Sequence, residues 1–265
     1  MTEPFDAPKQ TASYLAEPDQ VSRVLLLYSG GLDTSVMLKW IQDEYGAEVV
    51  ALTINLGQPG EDYDVVRGKA MQLGAVVITM SDSNGWIYDP KGVDLAAVKE
   101  IKEVRRGRIS EYLSYRPTAE YHEGRGVWSV KCDVALPCAT QNELHKEDAQ
   151  NLIKNGCFCV CEAANMPSTP EAMEVFLNSK ILFAPGKAAN AGGVSTSGLE
   201  MTQNSMRLNW SREEVDARLH DIMKNIHEAC REHGIQPDGY INYVKGANIA
   251  GFLKVANAMC DQGVI

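Results

Sequence analysis

The stretch Val24-Leu25-Leu26-Leu27-Tyr28-Ser29-Gly30-Gly31-Leu32-Asp33-Thr34-Ser35 decides how this chain is read. Its apolar run ends in Ser-Gly-Gly, which suits a buried parallel strand running into a tight turn. Apolar residues at Val36, Leu38, Trp40 and Ile41 then predict a helix from Asp33 to Tyr45, closed by Gly46. A strand, a glycine pair and a helix N-terminus make an anion-binding unit. The glycines let the backbone approach a phosphate, and the first helical turn offers unpaired N–H groups and a favourable dipole. Ser29, Thr34 and Ser35 add hydroxyl donors. The plain alternative is a tight strand-to-helix turn that binds nothing.

Outward from this unit the same rhythm continues. Glu48 to Ile54 reads as a second strand, broken by Gly57, Pro59 and Gly60; Asp62 to Leu73 reads as a helix and Ala75 to Met80 as a third strand. This βαβαβ order predicts a parallel sheet with right-handed crossovers. Gly92 to Leu113 is charged and expected to be mostly helical. Asp133 to Pro137, Cys157 to Cys161 and Ile181 to Ala184 are further strands, with helices near Lys146 to Asn155 and Thr169 to Asn178. Ser168 or Thr169 caps the latter, with Pro170 in its first turn. From Ser197 the chain reads as wholly helical: Ser211-Arg212-Glu213-Glu214 opens a long helix to about His233, and Asn248 to Gln262 forms the last one. The expected fold is α/β, a doubly wound, Rossmann-like parallel sheet with a helical C-terminal tail. Because a phosphate loop belongs after the central strand, Leu25 to Leu27 should lie beside Val134 to Leu136. Val50 to Thr53 should lie on its other side, with Val76 to Thr79 beyond.

Composition bounds the partners. A net charge of -10 offers no basic excess to neutralise nucleic-acid phosphates, although backbone N–H groups can still hold a small anionic nucleotide. No apolar run reaches the roughly 18 residues of a membrane span. The N-terminal twenty residues have no signal-peptide pattern and read as a polar leader. The 7 cysteines show no zinc-ribbon spacing; Cys157, Cys159 and Cys161 alternate along one strand face and read as small hydrophobes. Reduced thiols place the chain in the cytoplasm. No metal ligands and no catalytic residues are assigned.

Two resemblances follow from whole strings. Ser29 to Ser35, Lys39-Trp40 and Glu48 to Gln58 look like the opening of argininosuccinate synthase, over roughly Arg23 to Leu73. That resemblance implies that Ser29, Gly30, Gly31, Asp33, Thr34 and Ser35 line a phosphate site for ATP, with magnesium offsetting Asp33. The rest of the chain resembles glutamate dehydrogenase. Ser81-Asp82-Ser83-Asn84-Gly85, Ala135 to Leu144, Ala164-Asn165-Met166-Pro167, Ala184 to Val194, Ser197 to Met201 and Gly246 to Phe252 carry the match. This implies an NAD or NADP site. Ala139, Thr140 and Gln141 would face the dinucleotide, Asn165 and Asn190 would bond its nicotinamide end, and Asp82 or Ser83 would read the adenosine ribose. Val194 and Ser197 match positions that touch the amino-acid substrate.

Neither family's machinery is complete in this sequence. Gly57-Gln58-Pro59-Gly60 is no substitute for a Gly-x-Gly-x-x-Gly turn, because Pro59 has no N–H to donate. The glutamate dehydrogenase substrate domain, with its lysine and aspartate, is not recognisable, and neither are the citrulline and aspartate regions of the synthase. The resemblances together imply a chimera. Its segments are a leader over 1–20, a synthase-like phosphate-loop segment over 21–73, a dehydrogenase-like dinucleotide segment over 74–200 and a helical segment over 201–265. The expected function is that of a nucleotide-binding domain from an amino-acid oxidoreductase, inactive alone; the alternatives are an ATP-binding fragment or a chimera without function. Implied partners are the nucleotide and an oligomer or complementing chain that carries a substrate domain.

Overall fold

The computed structural model describes residues 21, 23–27, 39, 41–54 and 76–263. The Ser29–Ser35 loop, the Gly57–Gly60 turn and the 62–73 helix of the sequence reading lie outside the described residues. Among those described, eight strands form one sheet: β1 (Arg23–Leu27), β2 (Glu48–Ile54), β3 (Thr79–Ser81), β4 (Gly85–Tyr88), β5 (Glu120–Glu123), β6 (Val134–Leu136), β7 (Cys159–Cys161) and β8 (Leu182–Ala184). Their order is β5-β4-β3-β2-β1-β6-β7-β8.

The expected sheet order holds. β1 pairs in parallel with β6 through Leu25↔Ala135 and Leu26↔Leu136, and with β2 through Leu25↔Val50 and Leu27↔Leu52. β3 lies outside β2 in the register Leu52↔Thr79. Chain order reverses between β1 and β6, a switch point of the kind beside which α/β sheets bind ligands, at the carboxyl ends of their strands.

Two strands were not foreseen. β4 and β5 add antiparallel to the β3 edge through Ile87↔Tyr121 and Trp86↔His122. Each is only four residues long, too short for periodicity to register, and β5 (Glu-Tyr-His-Glu) carries the polar side chains of an edge. Trp86 and His122 stack across them at 4.2 Å.

The expected helix over Gly92 to Leu113 is broken. Asp94 caps a short α1 (Leu95–Lys99) by accepting from Ala97 N–H at 3.2 Å. A π-turn (Glu100–Val104) and a left-handed Arg106 (φ 54°) follow, then a 3-10 segment (Ile109–Ser114). The break has a tertiary cause. Asp82, at the end of β3, accepts from Lys102 Nζ at 2.9 Å and from Ile109 N–H at 3.0 Å, and so draws both sides of the turn onto itself.

The following helices are α2 (Lys146–Lys154), α3 (Pro170–Asn178), α4 (Gly186–Ala189), α5 (Ala191–Met206), α6 (Arg212–Gly234) and α7 (Tyr243–Gln262). Thr169 caps α3, and Phe176 on α3 stacks on Phe183 of β8 at 5.2 Å in the main core. Cys157 and Cys159 are buried as small hydrophobes, while β7 is shorter than expected and leaves Cys157 before it. The Ser211 capping box opens α6 as the sequence predicts: Glu214 N–H donates to Ser211 Oγ at 3.2 Å, and Ser211 N–H to Glu214 Oε2 at 2.8 Å. α5 starts before Ser197 and α7 before Asn248, the latter capped by Asn242. α7 crosses α6 at Gly246, where a Cβ would fall 1.9 Å from the Cys230 carbonyl oxygen. No helix among the described residues is long and apolar enough to cross a membrane.

Candidate dinucleotide site

Three loops meet at the carboxyl ends of β6, β7 and β8. The first, after β6, carries Ala139, Thr140 and Gln141, with Gln141 exposed. The second, after β7, carries Asn165. The third runs through α4 to Asn190, where α5 begins. Asn190 Nδ2 donates to Asn165 Oδ1 at 3.1 Å, so the two amides expected at the nicotinamide end lie side by side. Each still has polar atoms to offer a ligand. Val194 and Ser197 follow on α5, three residues apart and therefore on one face of the helix, both exposed.

The first two loops are zipped together by their backbones. Asn142 N–H donates to the Met166 carbonyl and Leu144 N–H to the Pro167 carbonyl, both at 3.0 Å, and Thr169 N–H returns to the Leu144 carbonyl at 2.9 Å. Asn142 (φ 55°) and Met166 (φ 52°) adopt left-handed conformations in these turns. For Met166 that conformation is uncommon and marks a constrained loop.

The β3 end supplies the other side. Asp82 is only 3% exposed at its side chain, and its oxygens accept from Lys102 Nζ, Ile109 N–H and Asn84 N–H. Burial pushes its carboxyl upward, but these three hydrogen bonds outweigh burial and hold it below the ordinary carboxylate range. Ser83 is exposed beside it, and Arg108 Nη1 donates to its Oγ at 3.0 Å. Of the pair singled out by sequence, the structure turns Asp82 inward to organise its own loop and presents Ser83. Ser83 lies three strand spacings from the β6 loop, about 15 Å along the sheet edge.

Sequence reasoning passed over Arg108, whose signal was the basic run Arg105-Arg106-Gly107-Arg108. It also passed over Glu143 and Glu162, both buried near the first two loops. A buried carboxylate leaves no mark in a single sequence.

A sequence model of the glutamate/leucine/phenylalanine/valine dehydrogenases matches residues 56–263. The chain belongs to this family. The match begins inside the 21–73 segment given above to a second resemblance. Among relatives, the chain is 60% identical over 200 residues to a glutamate dehydrogenase of Bacteroides thetaiotaomicron, covering 74% of this chain and 45% of that protein. It is 51% identical over 235 residues to an NADP-specific glutamate dehydrogenase of Escherichia coli, covering 88% of this chain and 51% of that one. The solved structure of Plasmodium falciparum glutamate dehydrogenase superposes with a TM-score of 0.63 at 37% identity, over 94% of this chain and 47% of that one. The chain thus spans about half the length of the dehydrogenases it matches.

Proposed function

We propose that the chain is the dinucleotide-binding half of a glutamate dehydrogenase, an NAD(P)-linked amino-acid oxidoreductase. The observation that carries this reading is the meeting of the loops of Thr140-Gln141, Asn165 and Asn190 at the carboxyl ends of β6, β7 and β8, with the two asparagine amides in contact. In this reading the nicotinamide lies over the β6–β8 loops and the adenosine ribose at Ser83. NADP is favoured over NAD. Arg108 sits at hydrogen-bond distance from the exposed Ser83. An arginine with a hydroxyl at the end of this strand suits a 2′-phosphate. Val194 and Ser197 form one wall of the amino-acid site, and the other wall comes from polypeptide that these 265 residues do not span. Val194, Met201 and Phe252 are 72%, 71% and 69% exposed. Apolar side chains so open to water support a covering domain over α5 and α7. The 265-residue chain alone should therefore not oxidise glutamate, since one wall gives neither an acid–base partner nor a closed cleft. Reduced thiols and a nucleotide substrate suit a cytoplasmic setting.

ATP with magnesium at Ser29 to Ser35 is the second reading, and its support is the Ser-Gly-Gly-Leu-Asp-Thr-Ser string itself. The alignment with the Escherichia coli enzyme covers too much of the chain to leave that segment wholly outside the dehydrogenase match. This favours one dinucleotide domain over a chimera. Calorimetric titration with NADP, NAD and ATP, each with and without magnesium, separates the readings. NADP should bind tightest, and Arg108→Ala should weaken NADP about tenfold while leaving NAD within about twofold, the cost of one charge-assisted hydrogen bond. ATP binding that requires magnesium, is abolished by Gly31→Pro and is untouched by Gly60→Ala would establish the second reading. Equal NADP affinity in Arg108→Ala would remove the ribose assignment.

A further inference from the structure

Glu143 is 8% exposed and Glu162 is 6% exposed. Water cannot solvate carboxylates so placed, and protein donors must do so instead. Glu143 accepts from the backbone N–H groups of Ala139 and Thr140, one on each oxygen, both at 3.3 Å. Glu162 accepts from Ser168 N–H at 3.2 Å and from Gly186 N–H at 2.7 Å. The Gly186 contact spans 24 residues and fastens the turn after β8 to the end of β7. Gly186 is also pressed against that strand end: an added Cβ would fall 2.5 Å from the Ala164 carbonyl oxygen and 3.4 Å from Glu162 Oε2.

These four N–H groups belong to the same three loops that carry Thr140-Gln141, Asn165 and Asn190. We propose that Glu143 and Glu162 are positioning residues: two buried carboxylates that hold the three loops in the arrangement the nicotinamide end of the dinucleotide requires. The inference rests on the dinucleotide reading for its purpose and on the hydrogen bonds alone for its geometry.

The surroundings make Glu143 the adjustable member of the pair. Arg125, from the loop after β5, faces it and donates through Nη2 to the Glu143 carbonyl oxygen; Arg125 also lies 3.9 Å from Asp148 of α2. Glu162 faces it from the end of β7, and the buried thiol of Cys138 lies on its own loop. Burial pushes Glu143 up to about 7. The Thr140 and Ala139 N–H groups and Arg125 pull against that rise, and Glu162 adds to it. Protonation turns one oxygen into an O–H donor and a poorer acceptor, so the neutral carboxyl receives the two N–H groups more weakly than the ionised form does. The Ala139–Thr140 loop is therefore held more firmly above pH 7 than below it.

Stability runs the other way. The folded chain binds the Glu143 proton more tightly than the unfolded chain, whose group titrates near 4.5. The stability contributed by that proton is complete below about 4.5 and is lost as pH rises through about 7. Loop firmness and fold stability should therefore move in opposite directions as pH rises through about 7.

The test uses the whole 265-residue chain and amide NMR between pH 6 and 8.5. In the parent, the Ala139 and Thr140 amides should titrate together with a midpoint near 7. Their exchange protection, corrected for intrinsic rates, should rise about tenfold across that range, the equivalent of one hydrogen bond to a charged acceptor. Glu143→Gln should abolish this titration, lower the protection at pH 8 about tenfold and raise the Tm at pH 8. Glu162→Gln should lower the protection of Gly186 and Ser168, and the exposed Glu174→Gln should alter none of these. Where the parent binds NADP, Glu143→Gln should weaken that binding about tenfold at pH 8 and remove the part of its pH dependence that has a midpoint near 7. A parent that binds no dinucleotide would end the proposed function, while the amide measurements would still decide the clamp. Flat Ala139 and Thr140 amides, or unchanged protection in both glutamine variants, would overturn the inference.

Discussion

The β6–β8 half of the sheet and the α5–α7 tail use their apolar residues in opposite ways. Between Val134 and Ala184, Ala149, Leu152, Val160, Ala172, Phe176 and Phe183 are buried against one another, and Met166 is the one large apolar side chain left exposed there. Along the tail only Cys230, Ile241 and Tyr243 form a buried cluster, with Ala188, Ile226 and Ala247 packed around it. α5 buries no residue at all, and Val194, Met201, Met206, Phe252, Val255 and Met259 face outward. The first region buries most of its large apolar side chains within this chain. The tail leaves its outward-facing apolar area in water, where it forgoes about 25 cal/mol per Å².

The largest effect should separate the two regions directly. Phe183 is a fully buried ring that stacks on Phe176. Phe183→Ala should cost about 3–5 kcal/mol in urea unfolding. Phe252→Ala, on the open face of α7, should stay within about 0.5 kcal/mol. A comparable loss at Phe252 that grows with protein concentration would show that copies of the chain cover this face for one another. The comparison would then break.

Asp82 offers the next largest effect, at the end of β3. Asp82→Asn keeps the shape but discharges the partner of Lys102 and weakens the acceptor for Ile109 N–H. The expected cost at neutral pH is about 2 kcal/mol, that of a hydrogen bond to a charged group. Its pH dependence has the opposite sign to that of Glu143. The Asp82 carboxyl is held below 3.8 in the folded chain, so its contribution is present above about 3.8 and is lost as pH falls through the lower folded value. The difference in stability between parent and Asp82→Asn should therefore shrink on acidification below pH 4. A difference that stays constant from pH 7 to pH 3 would mean that Lys102 contributes nothing through charge.

What the sequence made legible follows the same division. β1, β2 and β6 are apolar runs flanked by glycine or proline, and their order followed from one rule about phosphate loops; the register Leu25↔Ala135 bears it out. The α3 cap and the Ser211 box were readable because capping is local chemistry, settled within four residues. β4, β5 and the broken 92–113 segment were not. Each depends on a partner distant in sequence: Tyr121 for Ile87, Asp82 for Ile109. At the candidate site, the asparagines were marked by the strings around them, but their contact was not. Glu143 and Glu162 escaped because burial is a property of the fold.

The smallest effect tests whether the tail folds as a unit of its own. Ser211 accepts from Glu214 N–H, and Glu214 in turn accepts from Ser211 N–H, so Ser211→Ala leaves one donor of the first α6 turn unpaired. The expected cost is about 1 kcal/mol. The buried residues of the tail, Cys230, Ile241 and Tyr243, cluster with one another, and Ala188 is the residue from outside the tail packed against that cluster. The loss should therefore appear as faster amide exchange from Arg212 to Asp221, at an opening free energy well below that of global unfolding. The Phe176–Phe183 region should keep its full protection. Equal acceleration in α6 and in β8 would mean that tail and sheet open together, and the contrast between a closed half and an open tail would lose its energetic content.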